Sequence, residues 1–164
     1  EYVLVGHSER RILNNENNAD IKSRAQTAIN SNLKVILCVG ESLSDREEGK
    51  ALEYIEKQIN NCLPNNFKNL FIAYEPIWSI GTGKIPSAFE IQEMHSQIKK
   101  IVSRISNKNI HVLYGGSVNT ENIKEILKIT NVDGVLVGGA SLKLSGNIYL
   151  ALLISFKASS IDIV

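Results

Sequence analysis

Glu75 closes the apolar run Leu70-Phe71-Ile72-Ala73-Tyr74, and Pro76-Ile77-Trp78 follows it at once. A carboxylate there is a base on a fixed element, because a strand end holds it and the proline stiffens the turn behind it. Beyond this hinge, Ser79-Ile80-Gly81-Thr82-Gly83-Lys84 is short, polar and glycine-bearing, a composition suited to a tip that closes over an anion. A carboxylate is a weak base in water, and a dry pocket under a lid strengthens it by removing competing solvation.

The elements that must position this base alternate along the chain. Tyr2–Val5, Val35–Val39, Leu70–Tyr74, His111–Tyr114 and Gly134–Val137 are short, rich in Val, Ile or Leu, and apolar on both faces. Such runs read as strands of a parallel sheet covered on both sides. Between them, Ile91, Met94, Ile98, Ile101, Val102 and Ile105 recur at three- and four-residue steps. Leu52, Ile55, Ile59 and Leu63 do the same, as do Ile21, Ala25, Ala28 and Ile29. Each set lines one face of a helix. Ser44 with Glu47, and Ser87 with Glu90, form capping-box patterns that predict two helix starts. The asparagine clusters Asn14, Asn15, Asn17, Asn18 and Asn65, Asn66, Asn69 read as solvated turns at the joints. The result is a repeating strand–loop–helix series with right-handed crossovers and no linker dividing it.

The chain has 164 residues, enough for one domain with a core, and its 43% hydrophobic and 21% charged content fits a globular protein. With 18 basic and 17 acidic residues the net charge is +1, which argues against a nucleic-acid or membrane partner. The apolar run Ile148 to Ile154 is too short to span a bilayer. Cys38 and Cys62 predict buried free thiols, which suits a reducing cytoplasm or an organelle interior. An eight-stranded (β/α) barrel typically needs ~250 residues. The α/β series is therefore either an open parallel sheet or five βα units from the C-terminal part of a barrel.

Each predicted strand is followed by residues able to do chemistry, as parallel sheets and barrels require at the C-terminal ends of their strands. The segments are Gly6-His7-Ser8-Glu9-Arg10-Arg11, Cys38-Val39-Gly40-Glu41, Ala73-Tyr74-Glu75-Pro76-Ile77-Trp78 with Gly81-Thr82-Gly83-Lys84, Tyr114-Gly115-Gly116-Ser117-Val118, and Leu136-Val137-Gly138-Gly139-Ala140-Ser141-Leu142. In this order and at helix-sized gaps, they closely resemble triosephosphate isomerase. The resemblance covers the chain to about Phe156 and leaves 157–164 unassigned.

The resemblance implies a TIM barrel from its fourth strand onward, and a dihydroxyacetone phosphate/glyceraldehyde 3-phosphate isomerase of glycolysis and gluconeogenesis. It implies that Glu75 moves the proton, that a neutral His7 polarises the substrate oxygens, and that Pro76 to Pro86 form the lid. By the same resemblance Ser8, Glu9, Pro76, Trp78, Ile80, Thr82, Gly83, Lys84, Tyr114, Gly115, Gly116 and Leu136 support the site or build the lid. The residue chemistry agrees. One base able to return a proton to a neighbouring carbon, and one donor serving two oxygens, suffice for aldose–ketose exchange. The backbone amides of Gly81, Ser117, Gly138 and Gly139 can converge on a phosphate dianion without a Lys or Arg clamp. No metal or cofactor fingerprint competes for these residues. His95 and His111 read as structural, Glu41 and Arg10 as supporting or interface positions, and Arg11 stays ambiguous.

The family's first-strand loop supplies an Asn and a Lys, and its third loop the main contact of a homodimer. Neither motif stands in these 164 residues, so the expectation is that they do not turn over substrate alone. Ser79 stands where Ala is usual, and Ile85-Pro86 stiffens the second hinge of the lid. Three readings remain open: the isomerase, another phosphate-binding barrel enzyme, and a non-catalytic remnant or a split half completed by an N-terminal partner.

Overall fold

The computed structural model describes residues 1–65 and 68–138, together with the backbone of a strand at 154–156. In chain order the elements are β1 (Tyr2–Val5), α1 (Ser8–Leu13), α2 (Asn18–Asn30), β2 (Lys34–Val39), α3 (Leu43–Glu47), α4 (Ala51–Cys62), β3 (Leu70–Tyr74), a 3₁₀ turn (Ile77–Ser79), α5 (Ala88–Ser106), β4 (His111–Tyr114), α6 (Ile123–Lys128), β5 (Gly134–Leu136) and β6 (Ile154–Phe156). Strands β1 to β5 pair in parallel, each with the next.

Spatial order therefore follows chain order, β1-β2-β3-β4-β5. A doubly wound sheet reverses its order at a switch point, whereas a barrel wall does not. The side chains agree. Val35, Leu37, Val39, Leu70, Ile72, Tyr74, Val112, Tyr114 and Val135 point into the large core shared with Ile21, Ile55, Ile59, Ile91 and Ile98 of the helices. The alternate residues Ile36, Cys38, Phe71, Ala73, Leu113 and Leu136 form a second cluster with Tyr2 and Leu4 that contains no helical residue. Period-two alternation thus gives the sheet a helix-covered outer face and an inner face of its own. The sheet is a curled part-barrel, and the barrel alternative of the two sequence readings is the one observed.

Three details differ from the sequence reading. The predicted cap at Ser44 and Glu47 is instead a capping box between Ser42 and Asp45, starting α3. Two serines two residues apart, each with an acid three residues on, gave the same pattern twice. The chain then breaks at Gly49 (φ +72°) before α4 begins, so the two segments are separate helices. Finally, β6 pairs antiparallel with β5, Val135 opposite Ser155. It satisfies the backbone edge that β5 would otherwise leave open.

The asparagines are more structural than solvated turns suggest. Asn15, Asn32, Asn69, Asn107 and Asn131 hold left-handed backbone that other L residues resist. Asn17 caps α2 in a box with Asp20. Cys38 and Cys62 are buried and free. Among the described residues no helix is long and apolar enough to cross a membrane.

Candidate active site

Glu75 continues the inner-face alternation of Phe71 and Ala73, one residue past the end of β3. Its amide donates to the Val39 carbonyl at 2.8 Å, and the amide of Gly115 donates to the Tyr74 carbonyl at 2.8 Å. Both neighbouring strands therefore grip the backbone on either side of the carboxylate. The grip is close enough to require glycine twice. A Cβ on Gly40 would fall 1.7 Å from the Glu75 carbonyl oxygen, and one on Gly115 would fall 2.9 Å from Glu75 Cγ. The Gly40 and Gly115 positions are thus spaces left for Glu75.

The Glu75 side chain is only 3% exposed. Burial raises its pKa above the ordinary carboxylate value, opposed by His7, by a hydrogen bond from the Cys38 thiol, by the Ser8 backbone amide and by the Arg11 charge. Burial, then the charge of Glu75, drive the Cys38 thiol far the other way from ionisation, so it remains a donor.

His7 is the N-cap of α1, and its Nδ1 accepts from the Glu9 amide at 3.3 Å. In that contact Nδ1 is the acceptor, which leaves Nε2 as the ring nitrogen on the side of Glu75. Nε2 lies 3.7 Å from Glu75 Oε1. The separation exceeds a hydrogen bond. The carboxylate is therefore not bonded to the imidazole, yet one small molecule can touch both.

Arg11, ambiguous in the sequence, is the clamp beneath this pair. Its guanidinium donates to the Gly6 carbonyl at 2.7 Å, Asn18 Oδ1 at 2.8 Å and the Cys38 carbonyl at 3.3 Å. It ties the exits of β1 and β2 together, and hence His7 to the wall that carries Glu75. Cys38 was legible as a buried thiol but not as a partner of the base. That partnership comes from the strand register, in which Cys38 pairs with Ala73, two residues before Glu75.

The segment expected to form the lid includes the 3₁₀ turn. Trp78 Nε1 donates to Glu41 Oε1 at 3.0 Å, and the same oxygen accepts from Tyr74 Oη at 3.1 Å and Arg46 Nε at 2.9 Å. The Arg46 guanidinium also lies 5.3 Å over the Trp78 ring. Thr82 Oγ1 donates to the Trp78 carbonyl at 3.0 Å and accepts from the Lys84 amide at 3.2 Å. Gly81 and Gly83 have φ of +67° and +76° at the exposed tip. Pro76 and Pro86, at the two ends of the lid, are buried, and Ile80 is half-buried.

The structure brings Ser117 against the lid, its amide 3.3 Å from Ser79 Oγ. Gly138 is exposed and Leu136 belongs to the inner-face cluster, whereas Gly139 lies outside the described residues. Ser8 is buried beside the base, and the Glu9 side chain is exposed while its amide fixes His7. His95 is structural: it is buried, contacts the Asn131 carbonyl through Nδ1 at 3.2 Å, and its pKa falls to about 4 through burial. His111 stacks on Phe71. Arg10 lies on the surface in an ion pair with Glu16. No group of three His, Cys, Asp or Glu able to hold a metal occurs among the described residues.

The family model described as triosephosphate isomerase matches residues 1–155. The chain belongs to the triosephosphate isomerase family. It is 47% identical over 148 residues to a triosephosphate isomerase of Thermodesulfovibrio yellowstonii, covering 87% of this chain and 60% of the relative. It is 44% identical over 160 residues to that of Mycoplasma capricolum, covering 93% and 64%. With that of Paracoccidioides lutzii the identity is 43% over 150 residues, covering 87% and 60%. The chain thus spans about three fifths of the length of these curated relatives.

Proposed function

We propose that this chain carries the proton-transferring wall of a triose-phosphate isomerase, interconverting dihydroxyacetone phosphate and glyceraldehyde 3-phosphate in glycolysis and gluconeogenesis. The observation that carries the reading is the buried Glu75 carboxylate facing the Nε2 side of His7 across 3.7 Å. Glu75 removes a proton from the carbon beside the substrate carbonyl, and the electron pair moves onto the carbonyl oxygen to give an enediolate. His7 donates from Nε2 to the oxygens on which that charge develops. The proton on the neighbouring hydroxyl oxygen passes to the former carbonyl oxygen, with the His7 Nε2 group between them. The protonated Glu75 returns its proton to the former carbonyl carbon as the other oxygen becomes the new carbonyl, so the atoms balance with no cofactor.

The amides of Gly81, Ser117, Gly138 and Gly139 hold the phosphate, and the lid from Pro76 to Pro86 excludes water. Two free buried thiols suit a cytoplasmic enzyme or one in a reducing organelle. A homodimer is the assembly the family resemblance implies.

Turnover requires completion of the barrel by further strands, supplied in the same or another polypeptide. Among the described residues β1 pairs only with β2, so its outer edge is open to a parallel neighbour. The test mixes this chain with the two fifths of the Thermodesulfovibrio yellowstonii relative that it does not span, and follows isomerisation by a coupled assay. Turnover is expected in the mixture and not with Glu75→Gln. Association without turnover would count against the reading, and ready turnover by the 164 residues alone would remove the need for completion.

A further inference from the structure

Ser79 is fully buried at the base of the lid, and its hydroxyl has no bonding capacity left over. It donates to the Lys84 carbonyl at 2.6 Å, accepts from the Ser117 amide at 3.3 Å, and lies 3.3 Å from Tyr114 Oη. With its one proton committed to Lys84, the Tyr114 hydroxyl must supply the proton of the third contact. Ser117 Oγ returns a bond to the Ser79 carbonyl. There is no slack around this hub, since a Cβ on Gly116 would fall 2.2 Å from Tyr114 Oη and 2.8 Å from Ser79 Oγ. A methyl group at position 79 would make none of these bonds.

The Ser117 amide is one of the donors assigned above to the substrate phosphate, and here it is occupied. The geometry points to Ser79 as an internal competitor for the phosphate: its hydroxyl holds the Ser117 amide and exchanges with a phosphate oxygen, setting anion affinity against the latching of the lid. This role presupposes the phosphate site of the isomerase reading. At 3.3 Å the amide–hydroxyl bond is at the long, weak end of its range. A phosphate oxygen is charged and forms a shorter, stronger bond with the same donor, so exchange runs toward the anion. Arrival of phosphate frees Ser79 Oγ from the Ser117 amide while its bond to Lys84 and the Ser117 hydroxyl's bond to the Ser79 carbonyl remain, so the lid base is held to the turn that follows β4 by one bond fewer. By reciprocity, whatever strengthens the Ser79–Ser117 contact weakens phosphate binding by the same factor.

The test uses the full chain and Ser79→Ala, titrated with inorganic phosphate. Binding is followed by the emission of Trp78, the single tryptophan, and by the ¹⁵N shift of the Ser117 amide. Removing one competing hydrogen bond should tighten phosphate binding about three- to tenfold. The Ser117 resonance should start at an unbonded position in the variant and finish where the wild type does. The direction is diagnostic, because packing damage would weaken binding. Unchanged or weaker affinity in a variant with wild-type circular dichroism overturns the proposal, as does phosphate binding that leaves Ser117 unmoved. Ser79→Cys, which bonds weakly at nearly the same volume, must move affinity in the same direction if the alanine variant does not fold. Absence of phosphate binding in both proteins removes the phosphate site itself and the competition with it.

Discussion

Glu41 and Glu75 follow neighbouring strands, and both carboxylates are sealed from water, with side chains 0% and 3% exposed. Their surroundings are opposite. One oxygen of Glu41 collects Arg46, the Tyr74 hydroxyl and the Trp78 indole, and Arg46 reaches on to Glu90 at 3.1 Å. Around Glu75 the supports are a thiol, one backbone amide and an imidazole held beyond hydrogen-bond distance. A buried carboxylate with one oxygen held by a guanidinium and two further donors is a fixed joint, here fastening Trp78 of the 3₁₀ turn. One buried with few donors keeps its appetite for a proton, which is what a base needs. Partner chemistry, and not depth of burial, is what distinguishes these two carboxylates.

The largest expected effect is on the reagent. In the completed barrel, Glu75→Gln should lower turnover about 10²–10⁴-fold with little change in KM, because the amide keeps the shape and loses the proton transfer. A loss below tenfold would make Glu75 a second scaffold carboxylate and end the contrast.

Next comes the joint. Glu41→Ala leaves a half-buried guanidinium, a buried phenol and the Trp78 indole without their acceptor. Breaking such a cluster from one side costs roughly 3 kcal/mol. That corresponds to a fall in Tm of about 6–12 °C for a chain this size. Emission from Trp78 should shift to the red as the hinge loosens. An unchanged melting curve would show that the cluster is decorative.

These two carboxylates were not equally legible in the sequence. Glu75 announced itself locally, since a doubly apolar run, a carboxylate and a Pro-Ile-Trp hinge are consecutive. The partners of Glu41 lie 5, 33 and 37 residues away, so only folding brings them together. The strands were readable because burial on both faces leaves continuous apolar runs: β1, β3 and β4 stand where those runs lie, while β2 begins one residue earlier and β5 ends one earlier. The antiparallel β6 had no such mark, because the three residues Ile154-Ser155-Phe156 are too few to stand out from the apolar run that precedes them. Ser79 looked like a small residue in place of another, since its three bonding partners come from the lid and from the turn after β4. The family motifs gave the fold class and placed Glu75 and His7 as neighbours at the strand ends, whereas the network beneath them was tertiary information.

The smallest effect is also the one that sharpens the contrast most. The folded-state pKa of Glu75 is raised, so the native protein holds its proton at pH values where the unfolded chain, with an ordinary pKa of about 4.3, has lost it. Stability contributed by this group is therefore present at low pH and is lost as pH rises through the folded pKa. At neutral pH the buried charge is a net cost, and Glu75→Gln should remove it. Paired denaturation curves should show the variant more stable at pH 7, with a higher Tm. The difference should close below about pH 4, where both states of the wild type are protonated. Turnover should decline in the same direction as the pH falls through the raised pKa, because only the ionised form accepts the substrate proton. A variant less stable than wild type at pH 7 would mean that Glu75 is held by its neighbours as Glu41 is, and that burial at this strand end serves the fold and not the reaction.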